Sequence, residues 1–274
     1  MKKIVTFIMT TIMAVVMLFS FTACTPAGSG VVDVTTKTIT VGYTDYAPMN
    51  YEENGVLKGF DTELALMTFN ALGYDVRFKL IEWSNKYSEL ESGTIDCVWN
   101  GFTMNSTDEI NGVKTDRTEI VDFTKPYMFN AQCIVRRNNV AEITDIAQFA
   151  GKAVAYEAGS AAVDFVDTLT GINNVALESQ MKALQEVNAG TADYAVVDII
   201  LAKANAGKGN YANLVINEGL EMDQELYAIA FAKDSTLDEK VNIMLQAFAD
   251  TGVLTDLATK YGLENVVILD GYVA

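Results

Sequence analysis

The sequence predicts an α/β protein built from two lobes. From Lys37 onward, short β-branched runs alternate with helical periods, an order typical of a parallel sheet covered by helices. The same alternation restarts after Arg136, which predicts a second lobe of the same kind. Between the halves, the extended segment 122–137 contains Pro126, which cannot donate a ladder hydrogen bond and therefore suits a crossing between lobes. A second crossing near 221–225 would return the chain to the first lobe, and two crossings make a hinge.

The first lobe is predicted to start with the order strand, helix, strand, helix, strand. Asp61 is expected to be the N-cap of the first helix and Gly73 to end it. Its apolar stripe is expected to contain Leu64, Met67, Ala71 and Leu72. The predicted strands are "TITVGY" (38–43), "DVRFKLI" (75–81) and "IDCVWNG" (95–101), and the predicted helices are 61–73 and 84–93.

The second lobe repeats this alternation, and a final strand and helix follow it. In the last helix, Thr236 and Glu239 have the spacing of a capping box, and Val241, Leu245 and Phe248 form one buried face. The predicted elements are a helix at 143–149, the strand "KAVAYEAGS" (152–160), helices at 161–169 and 180–190, and the strands "DYAVVDII" (193–200) and "LYAIAFA" (226–232).

Composition excludes several classes of function. The formal charge of −17 repels phosphate backbones, so we expect no nucleic-acid partner. Histidine is absent, which excludes Ser-His and Cys-His catalysis and histidine-based zinc sites. Cys24, Cys97 and Cys133 are too widely spaced for a CxxC motif, and we expect neither a metal nor a cofactor. Cys97 and Cys133 are interpreted as buried thiols on adjacent strands, with a disulfide as the alternative.

Residues 1–23 have the layout of a secretion signal, with two lysines, an apolar run and a closing stretch of small residues. "FTAC" (21–24) resembles the bacterial lipobox, although Phe21 is not the usual leucine, and Cys24 is then the lipidated residue. A plain signal peptide is the alternative. Residues 24–36 are expected to form a flexible stalk. These features predict an extracytoplasmic protein anchored to the cell membrane by lipid.

Residues 38–266 resemble the solute-binding proteins of amino-acid ABC transporters. The resemblance lies in an ordered set of stretches: "VGYTDYAPMNY", "GVLKGFDTELA", "ELESGTIDCVWNGFT", "VDFTKPY", "GKAVAYEAGS", "AGTADYAVVD", "LYAIAFAK" and "ADTGVLTDLATKYG". It implies the type II periplasmic-binding-protein-like fold, with lobe 1 at 37–126 and 226–274 and lobe 2 at 127–225. It also implies a monomer that closes on a free amino acid and delivers it to an ABC permease.

A free amino acid carries two opposite charges, and both need partners when they leave water. The resemblance assigns donors for the carboxylate to the end of one strand and the start of one helix, and it assigns Asp198 to the α-ammonium. An aspartate that only caps the following helix is the alternative for Asp198. The expected donors are Asn100, Gly101, Thr103, Gly159, Ser160 and Ala161.

Tyr46 and Trp83 match the family's aromatic walls around the ligand, although both could simply fill the core of the first lobe. Asp45 and Glu157 lie where selectivity for the ligand side chain could be set, or they are only solvated. Together these residues permit a polar, basic or sulfur-containing ligand side chain.

The arginine that holds the ligand carboxylate departs from the family pattern. Asp108 stands about five residues after Thr103, where the family usually has the arginine. Counting backwards from "VDFTKPY" puts Arg117 in register after an apparent insertion, so Arg117 is the predicted residue. A surface arginine, with the carboxylate held by neutral donors alone, is the alternative.

Two other functions remain open at the level of sequence. Relatives with this fold act as cyclohexadienyl dehydratases, and here the acid or base of such an enzyme would be Glu157 or Asp45. A sensory domain coupled to a receptor kinase would need a separate signalling partner. The binding protein, without catalysis, is the preferred hypothesis.

Overall fold

The computed structural model describes residues 37–270, and the elements are numbered within this range. The first strands are β1 Lys37–Tyr43, β2 Tyr51–Glu53, β3 Val56–Lys58, β4 Tyr74–Leu80, β5 Cys97–Thr103, β6 Thr107–Ile110 and β7 Val113–Asp116. The later strands are β8 Asp122–Phe123, β9 Met128–Arg137, β10 Ala153–Glu157, β11 Asn173–Leu177, β12 Tyr194–Asp198, β13 Leu214–Ile216 and β14 Gln224–Phe231. The helices are α1 Phe60–Ala71, α2 Lys86–Glu91, α3 Arg117–Ile120, α4 Ala162–Val166, α5 Gln180–Ala189, α6 Ile199–Asn205, α7 Leu237–Asp250 and α8 Val253–Tyr261.

One mixed sheet has the strand order β11-β10-β12-β9-β14-β5-β1-β4, with β13 beside β9 and β8 beside β14. β1 runs parallel to β4 and β5, and β10 runs parallel to β11 and β12. Each parallel group is therefore one α/β unit, and the predicted α/β class is confirmed. We call β4, β1, β5 and β8 the first half of the sheet, and β11, β10, β12 and β13 the second half.

The long strands β9 and β14 connect the two halves. They pair with each other over 128–131 and 224–227. Beyond this pairing, β9 continues against β12 and β13, whereas β14 continues against β5 and β8. Two antiparallel strands are thus the crossings between halves, close to the segments that the sequence analysis named.

Helix α1 differs from the prediction at its start. Its N-cap is Gly59, so Asp61 lies inside the first turn and is completely buried rather than capping the helix. Leu64 is buried as expected, but Ala71 is exposed. Gly73 follows the helix with φ 84°, a left-handed conformation that glycine adopts without strain.

Other local predictions were partly wrong. The helix expected at 143–149 is a short 3₁₀ turn at Ile146–Phe149. Thr236 is the N-cap of α7, but its side chain makes no capping hydrogen bond; instead Leu237 N donates to Ser235 Oγ at 3.2 Å. Two hairpins, two single strands and three helices of the structure were not predicted from the sequence: β2–β3, β6–β7, β11, β13, α3, α6 and α8.

Cys97 and Cys133 are both buried free thiols. The prediction that they lie on adjacent strands was wrong, because β14 separates β5 from β9 in the sheet. The predicted signal segment, the predicted lipidation site Cys24 and the predicted stalk lie outside the described residues. Within residues 37–270, no helix is both long and apolar enough to cross a bilayer.

Candidate ligand-binding site

A cavity lies between the two halves of the sheet, at the carboxyl ends of β5, β10 and β12. It encloses about 280 Å³, including the space that opens to solvent. Its lining residues are Thr44, Tyr46, Trp83, Asn100, Gly101, Thr103, Arg117, Glu157, Ser160, Ala161, Gln180 and Asp198. Such a position is the usual ligand site of an open α/β sheet. Ten of these residues are among the predicted site residues.

A larger depression of about 1110 Å³ lies next to this cavity and shares Ala161 with it. Its walls hold four acids, Asp164, Glu221, Asp223 and Glu225, and the described residues that line it include no lysine or arginine. The smaller cavity has both signs of charge, with Arg117 and two acids. We therefore take the smaller cavity as the candidate site.

Asn100, near the end of β5, connects three segments of the first half. Its Nδ2 donates to Asn50 Oδ1 at 2.7 Å and to the Thr44 carbonyl at 3.0 Å. Its Oδ1 accepts from Thr44 Oγ1 at 2.6 Å. The side chain is buried and fully engaged, so Asn100 positions Thr44 at the wall of the cavity.

Gly101 has a backbone that only glycine accommodates easily. Its φ is +57°, and an added Cβ would lie 2.8 Å from ring atoms of both Tyr46 and Tyr227. Its N–H donates to Asp61 Oδ2 at 2.8 Å, and Tyr127 donates its hydroxyl to the same carboxylate. Burial raises the pKa of Asp61 to about 7. The N–H expected to hold the ligand is thus bonded to Asp61 in this structure.

Asp198, at the end of β12, accepts hydrogen bonds from three amide side chains. Asn130 and Gln132 of β9 donate to its Oδ1, and Gln180 donates to its Oδ2. It occupies the N-cap position of α6 but makes no side-chain capping bond, so the capping alternative is wrong. Burial raises its pKa. Its carboxylate is therefore oriented by other side chains.

Glu225, on the crossing strand β14, lies against the same amides. Asn130 Nδ2 donates to its Oε2 at 2.6 Å, Gln132 Nε2 donates to its Oε1 at 3.0 Å, and Thr103 Oγ1 donates to its Oε2 at 3.1 Å. Burial and the neighbouring Asp198 raise the pKa of Glu225 to about 7. The hydroxyl predicted to hold the ligand carboxylate thus donates to a protein carboxylate here.

Arg117 is buried at the cavity wall, only 1% exposed. Its Nε and Nη2 donate to Asp108 at 3.0 and 3.3 Å, and its Nη1 donates to the Thr103 carbonyl at 2.9 Å. Nη2 also reaches the Gly159 carbonyl of the second half at 3.2 Å. The insertion that precedes Arg117 forms the hairpin β6–β7, which returns the chain so that Asp108 and Arg117 meet. The surface-arginine alternative is therefore wrong.

Lys86 is a second buried cation beside the site, and it was not among the residues predicted from the sequence. Its Nζ lies 3.2 Å from Asp108 Oδ2 and donates to the Gly159 carbonyl at 3.0 Å. It also lies 4.5 Å from the centre of the Tyr87 ring. Burial and the neighbouring Arg117 lower the pKa of Lys86 to about 8.

The two predicted aromatic walls are both buried at the cavity. Trp83 donates its indole N–H to the Gly159 carbonyl at 3.0 Å and packs edge-on against Phe102. The Tyr46 hydroxyl lies 2.7 Å from that of Tyr227. Each ring therefore lines the cavity and also packs in the core, so a role as a wall of the ligand site and a role in the core are compatible.

Glu157 ends β10 and is 3% exposed. Its Oε1 has no hydrogen-bond partner among the described residues. Burial and the neighbouring Asp198 raise its pKa to about 8. Ser160 N and Oγ both donate to the Glu157 carbonyl, which fixes the turn after the strand. Glu157 is thus a buried carboxyl with an unused oxygen in the wall of the cavity.

A second set of contacts joins the halves outside the cavity. Asp164 of α4 accepts from Ser106 Oγ at 2.8 Å, from Thr107 N at 3.2 Å and from Thr107 Oγ1 at 2.7 Å. Lys114 Nζ lies 2.7 Å from the same carboxylate. These hydrogen bonds lower the pKa of Asp164 to about 2 despite partial burial. The hairpin β6–β7 is therefore tied to the second half.

Two predicted site residues are not placed in the cavity wall. Asp45 is exposed. Gly159 lines a neighbouring depression, and its carbonyl accepts from Trp83, Lys86 and Arg117. Sequence reasoning also missed Thr44 and Gln180, and no local pattern marked them because each follows an ordinary strand or starts an ordinary helix.

The profile of the "bacterial extracellular solute-binding proteins, family 3" matches residues 39–264. The probable amino-acid-binding protein YxeM of Bacillus subtilis is 30% identical over 227 residues, covering 81% of this chain and 82% of YxeM. The arginine-binding extracellular protein ArtP of the same organism is 26% identical, covering 91% of this chain and 95% of ArtP. The solved structure of an ancestral arginine-binding protein bound to arginine is 29% identical with a TM-score of 0.73, covering 82% of this chain and 97% of that protein. The chain belongs to family 3 of the bacterial extracellular solute-binding proteins.

Proposed function

We propose that this protein captures one free amino acid between its two lobes and delivers it to an ABC permease. The observation that carries the proposal is the pair of opposite charges across the cavity, with Arg117 from the first half and Asp198 from the second. Four of the five N–H groups of Arg117 donate to Asp108 and to two backbone carbonyls, so one N–H of Nη1 is left for a ligand carboxylate. The buried carboxylate of Asp198 can meet an ammonium. A free α-amino acid carries both groups on one carbon atom.

The two lobes are expected to close on the ligand, because Arg117 and Asp198 lie on different lobes. The lobes are assigned to 37–126 with 226–274, and to 127–225, and the crossings β9 and β14 serve as the hinge. A ligand that contacts Arg117 and Asp198 together gains both interactions only when the cleft is shut, so binding favours the closed form. No covalent step is needed, and binding without catalysis is the proposed activity.

The relatives support the chemical class of the ligand. YxeM is named as a probable amino-acid-binding protein, and ArtP as an arginine-binding one. We further propose that the protein works outside the cytoplasm as a monomer. A lipid on Cys24 would anchor it to the cell membrane.

Isothermal titration of the purified protein against the twenty common amino acids tests the proposal. At least one is expected to bind with 1:1 stoichiometry. Asp198→Asn is expected to weaken that binding by about 10- to 100-fold, because a charge-assisted partner of the ammonium is lost. Glu239→Gln removes one charge from an exposed position of α7 and serves as the control. Absence of binding across the panel would contradict the proposal.

A further inference from the structure

The side chain of Glu157 is buried, yet one of its carboxyl oxygens has no hydrogen-bond donor among the residues that the structure describes. The residue is 3% exposed, and its Oε1 points to no donor within the described residues. Leaving a buried carboxyl oxygen without a donor destabilises a folded protein. Glu157 lines the cavity, so a bound ligand is the natural source of the missing donor.

We assign the α-ammonium of the ligand to Asp198 rather than to Glu157. Asp198 is the carboxylate whose orientation is set by Asn130, Gln132 and Gln180, as expected for an ammonium partner. The arginine and the lysine beside the cavity already contact Asp108 and the Gly159 carbonyl. Neither of these cations is hydrogen-bonded to Glu157.

The charges around the cavity are also unequal. Four carboxyl groups lie in or next to its wall, on Asp108, Glu157, Asp198 and Glu225, against two cations, Lys86 and Arg117. Because the pKa values of Glu157 and Glu225 are raised to about 8 and about 7, these two carboxyl groups keep protons near neutral pH when no ligand is bound. A cationic group placed against Glu157 displaces its proton and forms an ion pair, which a neutral side chain cannot do.

We propose that the ligand is an amino acid with a cationic side chain, and that Glu157 is the residue that binds the side-chain cation. This inference rests on the proposed function, because it assumes that the cavity holds an amino acid with its ammonium at Asp198. A lysine ammonium or an arginine guanidinium supplies the N–H donor that Oε1 lacks.

The state of Glu157 without ligand is consistent with this role. Burial and Asp198 raise its pKa to about 8, whereas Lys86, Gln180 and Arg117 act in the opposite direction. A cation placed against the carboxyl group favours the ionised form. The competing ligand class is a neutral amide, which could accept a hydrogen bond from protonated Glu157, and the test must separate the two.

Arginine and citrulline separate them, because they have nearly the same shape and differ in side-chain charge. Titration of the full protein with arginine, lysine, citrulline and glutamine is expected to show arginine or lysine binding at least about 10-fold more tightly than citrulline and glutamine. Citrulline or glutamine binding as tightly as the cationic amino acids would overturn the inference. Absence of binding by all common amino acids would instead contradict the proposed function.

Variants identify the residue responsible. Glu157→Gln is expected to weaken binding of the cationic ligand by about 10- to 100-fold while citrulline binding stays the same. Glu225→Gln also removes a buried carboxyl group, but Glu225 does not line the cavity, so it should change both affinities by the same factor. An unchanged ratio of arginine to citrulline affinity in folded Glu157→Gln would overturn the assignment. If that variant does not fold, the comparison on the unmodified protein still decides the ligand class.

Discussion

Asp108 and Arg117 form a two-point ion pair in which Nε to Oδ2 is 3.0 Å and Nη2 to Oδ1 is 3.3 Å. Asp108 lies in β6, and Arg117 directly follows β7, nine positions later. Asp108 occupies the position at which the family usually has the arginine, and the predicted Arg117 lies beside it in space. Its carboxylate now orients the guanidinium at the cavity wall.

Removal of this carboxylate is expected to destabilise the protein. Asp108→Ala leaves Lys86 and Arg117 buried without their acidic partner, and we expect a loss of about 3–5 kcal/mol in the free energy of unfolding. Chemical denaturation followed by circular dichroism measures it. Asp75→Ala, which breaks an exposed 3.9 Å pair with Arg77, is the control and should cost under about 1 kcal/mol. Equal effects of the two variants would contradict the role of Asp108.

Asp164 is expected to control how long the closed form lasts. Asp164→Asn weakens the contacts of α4 with Ser106, Thr107 and Lys114, so ligand dissociation should become about 5- to 20-fold faster. Stopped-flow fluorescence during ligand displacement measures the rate. Asp167→Asn changes an exposed acid just after α4 and should leave it unaltered. A rate that does not change in Asp164→Asn would show that the hairpin does not hold the closed form.

The ligand-free protein is expected to be more stable at pH 5 than at pH 8. The pKa values of Asp61 and Glu225 are raised to about 7 and that of Glu157 to about 8, so the folded state keeps protons that the unfolded chain loses above about pH 4.5. The free energy of unfolding then falls as pH rises through this window.

Thermal melts of the ligand-free protein between pH 5 and pH 8 measure this dependence. Self-repulsion of the acidic chain acts in the same direction. Glu157→Gln therefore provides the discriminating comparison, because it should reduce the slope, whereas the exposed Glu239→Gln should not. Identical slopes in both variants would contradict the assignment to buried carboxyl groups.

Gly101→Ala is expected to destabilise the protein by about 2–4 kcal/mol. The φ of +57° strains any other residue, and the new Cβ would meet the rings of Tyr46 and Tyr227 at 2.8 Å. Gly112→Ala is a matched control, because its φ of +79° carries the same strain but its Cβ would have open space. Chemical denaturation compares them, and equal losses would show that ring contact contributes nothing.

Local sequence was sufficient to predict most of the framework. Strand and helix periodicity placed β1, β5, β10, β12 and β14 close to their observed positions, because alternation of apolar residues is a local property. The ordered stretches of the resemblance then placed Tyr46, Trp83, Thr103 and Asp198 at one cavity.

The partner of each polar group was decided only by the tertiary structure. Gly101 N–H reaches Asp61 across 40 positions, and Glu225 meets Thr103 across 122, so neither bond has a local signature. The sequence by itself determined which residues stand at the strand ends. The tertiary structure determined which of these residues are already hydrogen-bonded to other protein groups, because hydrogen bonding depends on distances in space. The hairpin β6–β7 and the paired strands β9 and β14 bring distant partners together, whereas Oε1 of Glu157 has no partner among the described residues.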